Sequence, residues 1–271
     1  MELVASARLR RAQMRIEAMR PYADRMLELM AGTAQAAGAV RLPLLEPREN
    51  AQAIGIVPVT GDRGLAGAFN AQVLRRAFAE MREAQAAGQQ VKFFTSGKKA
   101  QSTVRFRRLE LAQSWTGFSD RPAYSDAQAI AHAVADAYVN GEVDRVLIVY
   151  NAFVSPLVQK VTVTEVLPVS PELLEGAPAD EPKHPVDFFF EPEPRNILER
   201  LLPVYVETEL YRALLESAAS EQGARMTAMR NASKAAGELI DTLTLAMNRA
   251  RQAEITQEIL EVVAGADALT Q

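Results

Sequence analysis

The sequence contains no cysteine, which removes disulfides, thiolate-held zinc and Cys-ligated iron–sulfur clusters together and suits a reducing compartment. Histidine is nearly absent. His132 and His184 lie far apart and outside any HExxH or HxH pattern, so neither an imidazole-held metal nor His-based catalysis has support. An excess of positive charge is also missing. The 30 Lys and Arg against 34 Asp and Glu leave a net charge of −4, which argues against general phosphate-backbone binding and towards protein partners. No run of about 18 apolar residues exists to span a bilayer. The opening "MELVASARLRRAQ" interleaves charges and has no secretory h-region; it reads as if already inside a helix.

Helix breakers are scarce at both ends of the chain. Over residues 1–37, Ala5, Leu9, Ala12, Ile16, Met19, Ala23, Met26 and Met30 recur at alternating spacings of four and three, a heptad seam that keeps its phase across Pro21. The proline therefore predicts a bend rather than an end. A second seam, Met226, Met229, Ser233, Ala236, Ile240, Leu243, Met247 and Ala250, falls in a helix expected over 204–264. Two terminal seams pair only if the middle folds back, so an antiparallel coiled coil is expected. At about 1.5 Å per residue the second helix would run roughly 90 Å and the first roughly 55 Å, leaving part of the second unmatched.

The middle changes character. Residues 53–59, 90–97, 109–115, 143–151 and 157–169 read as strands, and 70–88, 98–109 and 125–140 as helices, with Asn70 and Ser125 as N-caps and Gly88 as a stop. Alternating strands and helices predict a Rossmann-like α/β domain with a mainly parallel sheet. The expected organisation is a coiled-coil helix over 1–40, an α/β domain over 51–192 and a long coiled-coil helix over 195–271. Six prolines and seven acidic residues at 170–194 predict an exposed excursion, ending in a short edge strand at "DFFFEP" (187–192).

One loop invites a nucleotide reading. In "VTGDRGLAGAFN" (59–70), glycines 61, 64 and 67 follow a strand and precede a helix. A Walker loop needs Gly-Lys-Ser/Thr at its end, and here Ala68, Phe69 and Asn70 follow Gly67; a dinucleotide fingerprint needs GxGxxG, and the spacing is GxxGxxG. Tight strand-to-helix geometry explains the glycines better, with Asp62 and Arg63 either paired nearby or facing a partner. "TSGKKAQ" (95–101) is a similar turn without the upstream glycine. No catalytic Ser, His and Asp grouping appears, and no cofactor or metal set emerges. A stand-alone nucleotide-binding α/β enzyme is the alternative reading, carried by the glycine loop alone; a generic coiled-coil adaptor is a third.

The same loop resembles the SDRGLxGxFN loop of the gamma subunit of F-type ATP synthases. Residues 224–269, "ARMTAMRNASKAAGELIDTLTLAMNRARQAEITQEILEVVAGADAL", closely resemble that family's C-terminal signature helix. "MELVASARLRRAQ" and "RPYAD" are similar to its N-terminal helix and "VYVETELYRALLESAASEQGARM" to the approach to its C-terminal one, so the resemblance runs through the whole chain. It implies a central rotor shaft without an active site of its own, coupling transmembrane proton flow to ATP synthesis in the beta subunits of an alpha–beta ring. It also implies epsilon and c-ring partners and a peripheral place on the cytoplasmic face of the cell membrane. Carried over by position, Arg251, Gln252 and Thr256, with Arg8, Arg10 and Arg11, are the expected ring contacts. Tyr205, Glu207 and Tyr211 are the expected foot contacts towards the c ring and epsilon. Family members carry more residues before the segment matching Met1, about twenty, or five to six helical turns. An upstream start or a shortened bearing beside 251–264 is the corresponding expectation.

Overall fold

The computed structural model describes residues 1–38, 42–48, 51–170, 191 and 193–269. The edge strand expected at 187–192 and nearly all of the acidic excursion lie outside the described residues. Contacts group the chain into two compact units, Met1–Thr227 and Ala228–Gln271.

Five strands, β1 (Ala53–Pro58), β2 (Gln90–Ser96), β3 (Leu111–Trp115), β4 (Arg145–Phe153) and β5 (Gln159–Leu167), form one sheet in the order β3-β2-β1-β4-β5. The first four are parallel, and β5 runs antiparallel to β4 at one edge. Helices α2 (Phe69–Ala86), α3 (Lys98–Phe106) and α4 (Tyr124–Val139) make the crossovers. The unbroken apolar runs of the central strands follow from burial on both faces. Ile54, Ile56, Phe93, Leu147 and Val149 face α2 and α3, whereas Val57, Val59, Phe94, Val146 and Ile148 share a core with α4 and the terminal helices.

The helix stops are local and legible. Gly88, with φ +78°, lets its own N–H bond Gln85 O and the N–H of Gln89 bond Ala84 O, the paired bonds of a left-handed glycine cap. The starts differ from expectation. Asn70 does not cap α2; its carboxamide accepts the N–H of Gly61 at 2.8 Å, and the helix begins one residue earlier, at Phe69. Nor does Ser125 cap α4. The helix starts at Tyr124, and the Asp126 carboxylate reaches back to accept the N–H of Ala123 at 2.8 Å. In both places a side chain with several geometrically allowed partners took the one that tertiary packing presented.

Helix α1 (Glu2–Ala37) passes through Pro21 without a break, and α5 (Pro194–Leu269) contains Pro203. The latter starts ten residues before the breaker-poor stretch 204–264 and one before the long helix expected over 195–271, because Leu198 and Leu202 are core residues whose burial holds the extra turns in helical form. The two helices pack antiparallel: Arg8 and Gln222 meet at Asp120, while Ile16, Met19 and Ala23 face Arg212, Leu215 and Glu216. The register corrects the sequence reading. The α1 seam packs on Leu215, Ala219 and Met226, so only Met226 of the second seam joins this core. The other expected partners, from Ser233 to Ala250, are exposed, as is every residue of 230–266.

Candidate functional site

The first half of the glycine loop is tied down by hydrogen bonds. At the start of α3 the first N–H groups have no intrahelical acceptor and must find one elsewhere. The Asp62 carboxylate takes the N–H of Lys98 at 3.0 Å, Gly61 O takes that of Lys99 at 3.3 Å and the Thr60 hydroxyl takes that of Ala100 at 3.0 Å. The second oxygen of Asp62 accepts from the N–H groups of Gly117 and Ser119 at 2.8 and 3.2 Å. Asp62 thus occupies the place where an anionic ligand would meet a helix N-terminus. Two glycines are closely packed here, and Gly97 is obligatory. Gly97 has φ +93°, and a Cβ on it would lie 2.1 Å from Thr60 O; a Cβ on Gly61 would lie 2.8 Å from the Glu221 carboxylate of α5.

Helix α5 closes over this loop through buried charge. Arg225 donates to Glu221 at 2.5 Å, one turn away, and to Gly64 O at 3.3 Å. Burial raises the Glu221 carboxyl above its usual range, an effect that the Arg225 guanidinium only partly offsets. Beside them Asp120 gathers Arg8 of α1 at 2.9 Å, Arg63 of the loop at 3.5 Å and the Gln222 carboxamide at 3.1 Å. Three segments far apart in sequence are therefore joined by one polar knot. The sequence reading missed Asp120, Glu221, Gln222 and Arg225. The Glu221 and Arg225 spacing of four within a stretch of small residues was the available signal.

The expected contact residues divide into two sets. Arg251, Gln252 and Thr256 are exposed on one stretch of α5, with the Thr256 hydroxyl bonded back to Gln252 O. Along the same stretch Leu239, Ile240, Leu243, Met247, Ile255 and Ile259 are exposed too, distributed around the helix rather than along one stripe, and exposed apolar surface of this extent marks an interaction surface. Arg10 and Arg11 are exposed, but Arg8 is not free, since its partner is Asp120 of the same chain.

The expected foot residues are engaged within the chain itself. Tyr205 is buried, which drives its hydroxyl pKa upwards, and Glu207 is buried beneath Tyr124 and His132, whose side chains approach its carboxylate to 2.6 and 3.0 Å. Tyr211 is half-buried against the edge of the Tyr124 ring. These positions serve the α4–α5 interface, because their helix face is the one the sheet needs covered. Among the described residues no group of three or more His, Asp and Glu could hold a metal, and no helix is long and apolar enough to cross a membrane.

Comparison with known proteins adds to this geometry. A family model described as ATP synthase matches residues 1–269. The ATP synthase gamma chain of Rubrobacter xylanophilus is 47% identical over 270 residues, covering 99% of this chain and 91% of that one. That of Pelotomaculum thermopropionicum is 44% identical over 269 residues, covering 99% and 92%. Among solved structures, a chain of the central stalk and c-ring of the Tetrahymena thermophila mitochondrial ATP synthase matches with a TM-score of 0.62 at 25% identity, over 86% of this chain and 97% of that one. A chain of the Euglena gracilis mitochondrial enzyme shares the fold, with a TM-score of 0.62 at 18% identity, over 97% and 95%.

Proposed function

The chain belongs to the family of ATP synthase gamma chains, and from that premise we propose that it is the central-stalk rotor subunit of an F-type ATP synthase. It carries no active site of its own, and it couples proton flow through a c-ring to ATP synthesis in the beta subunits of an alpha–beta ring. It sits with the epsilon subunit on the cytoplasmic face of the cell membrane, held there through the complex. The observation that carries this reading is the bare stretch of α5: over 230–266 every residue is exposed although apolar side chains recur along it. An uncovered apolar helix is costly in water, so it needs a sleeve of partner subunits.

Within that sleeve Arg251 and Gln252 supply polar contacts that form and break as the shaft turns, with Thr256 one turn further on. Charge pairs of this exposed kind steer and register more than they bind, which suits a moving part. Residues 1–40 and 195–271 act as the shaft, and 51–192 as the α/β body that carries it. Asp62, already bonded across the start of α3, supports a structural role for the glycine loop over nucleotide binding.

The test is reconstitution with alpha and beta subunits. The chain should co-elute with the ring, stimulate its ATP hydrolysis and turn a bead attached to the α/β body. Replacing Arg251 and Gln252 together by Ala should lower the ring's turnover by about ten-fold, the loss of roughly 1.4 kcal/mol of contact energy. Failure of the chain to join the ring, or saturable ATP binding by the chain alone in calorimetry, would sink the proposal.

A further inference from the structure

Parallel strands give the α/β body two unlike ends. At the carboxyl ends of β1 and β2 lie the glycine loop, Arg8 and the Glu221–Arg225 pair. At the opposite end, where α2 and α3 finish, the surface carries Arg82, Arg105, Phe106, Arg107 and Arg108, all exposed, with Phe106 at 88%. None of these four arginines makes an ion pair among the described residues. The acids nearby are partly engaged: Arg76 holds Glu80, Lys92 holds Glu110 and Glu142, and Glu83 faces solvent. Arg107 is stacked over the Phe78 ring at 4.2 Å, and Arg108 sits at φ +55°, so the group is presented on fixed backbone. A helix C-terminus favours a cation in its last turn, which accounts for Arg105. It does not account for Arg107 and Arg108, which with Arg105 flank the bare Phe106 in sequence, or for Arg82 near the end of α2.

We infer that this end of the α/β body is a contact surface for an anionic lipid bilayer. The inference rests on reading the chain as a subunit of a membrane-bound complex. The guanidinium fork matches phosphate oxygens bidentately, and each cation close to an anionic surface strengthens attachment roughly five-fold. Helix α3 does not lie in the bilayer, because Ala100 and Val104 commit its apolar face to the core. Contact is made by its tip, with Phe106 entering the headgroup layer. Protein interfaces bury aromatic anchors at the centre of a packed patch, whereas the interfacial layer of a bilayer accepts a lone ring. The isolation of Phe106 therefore favours lipid over an acidic protein.

The test is flotation of the purified full chain with phosphatidylcholine vesicles, with and without phosphatidylglycerol, at low and high salt. Binding is expected only to the anionic vesicles and is lost at high salt. Arg105→Glu with Arg108→Glu should cut it by about ten-fold or more, and Phe106→Ala by about three-fold. Lys98→Glu with Lys99→Glu, the same charge change at the other end of α3, should leave it within about two-fold. Circular dichroism melts establish that each variant is folded. Absence of binding by the unaltered chain, as an acidic-protein partner predicts, overturns the inference; so does equal binding to neutral vesicles, or an equal loss with the lysine pair. Assembly with alpha and beta subunits is read separately. If vesicle binding fails while assembly holds, this inference falls and the proposed function stands.

Discussion

Glu221 shows how a single buried carboxylate constrains its neighbours. Gly61 packs against it so closely that Gly61→Ala should destabilise the fold by about 2 kcal/mol, read as a lowered thermal midpoint, because the carboxylate is held by Arg225 and cannot retreat. Arg225→Met should cost more, about 3–5 kcal/mol, since it strands a buried charge, and Glu221→Gln in the same chain should recover part of the loss. The pH dependence follows with a definite sign. Glu209, Glu216 and Glu221 are each raised by burial, so the native state keeps protons that the unfolded chain releases. Their contribution to stability therefore falls as pH rises from the unfolded glutamate value, about 4.3, through the raised native values. Asp144 acts oppositely, because its bonds to Arg48, Gln52 and Ala53 lower its pKa and its contribution is lost in acid. Denaturant titrations across pH should show a shallower decline for Glu221→Gln than for the unaltered chain.

Among the elements, helix ends fixed by backbone conformation were legible and those fixed by side-chain choice were not. Gly88 stops α2 because no other residue type adopts its φ so easily, and that is local information. Asn70 and Ser125 had the right chemistry for caps, but Gly61 claimed the one and Asp126 displaced the other. The heptad seams teach the same lesson at greater length. Their period states that a helix face is covered but not by what, so the α1 seam and the 226–250 seam read as mutual partners although the true register sets α1 against Leu215, Ala219 and Met226. A pair of substitutions separates the two seams. Ile16→Ala should destabilise the isolated chain by about 2–4 kcal/mol, and Leu243→Ala should change it by no more than about 0.5 kcal/mol while weakening assembly with alpha and beta subunits.

For the molecule as a whole, the sequence made the parallel sheet and the antiparallel terminal helices readable from the pattern of apolar residues. It did not reveal the polar knot. Asp120 meets Arg8 and Gln222 across more than a hundred residues and Arg63 across more than fifty, and such contacts leave no periodicity to detect. Tyr205 and Glu207 were named by position in the family resemblance, and position alone does not tell that Glu207 lies beneath Tyr124 and His132 of α4. The position of Asp62 has a consequence for the whole domain. An α/β sheet of this kind ordinarily waits for a ligand at the carboxyl ends of its strands, and here a side chain of the same chain is that ligand, so the domain is always in its occupied form. Asp62→Ala should create the empty form, with the N–H groups of Lys98, Gly117 and Ser119 left to water and stability lowered by about 1 kcal/mol. Millimolar sulfate should then restore part of the lost stability in the variant and leave the unaltered chain unmoved. What the fold elsewhere spends on holding a molecule, it uses here to hold its own helices in place.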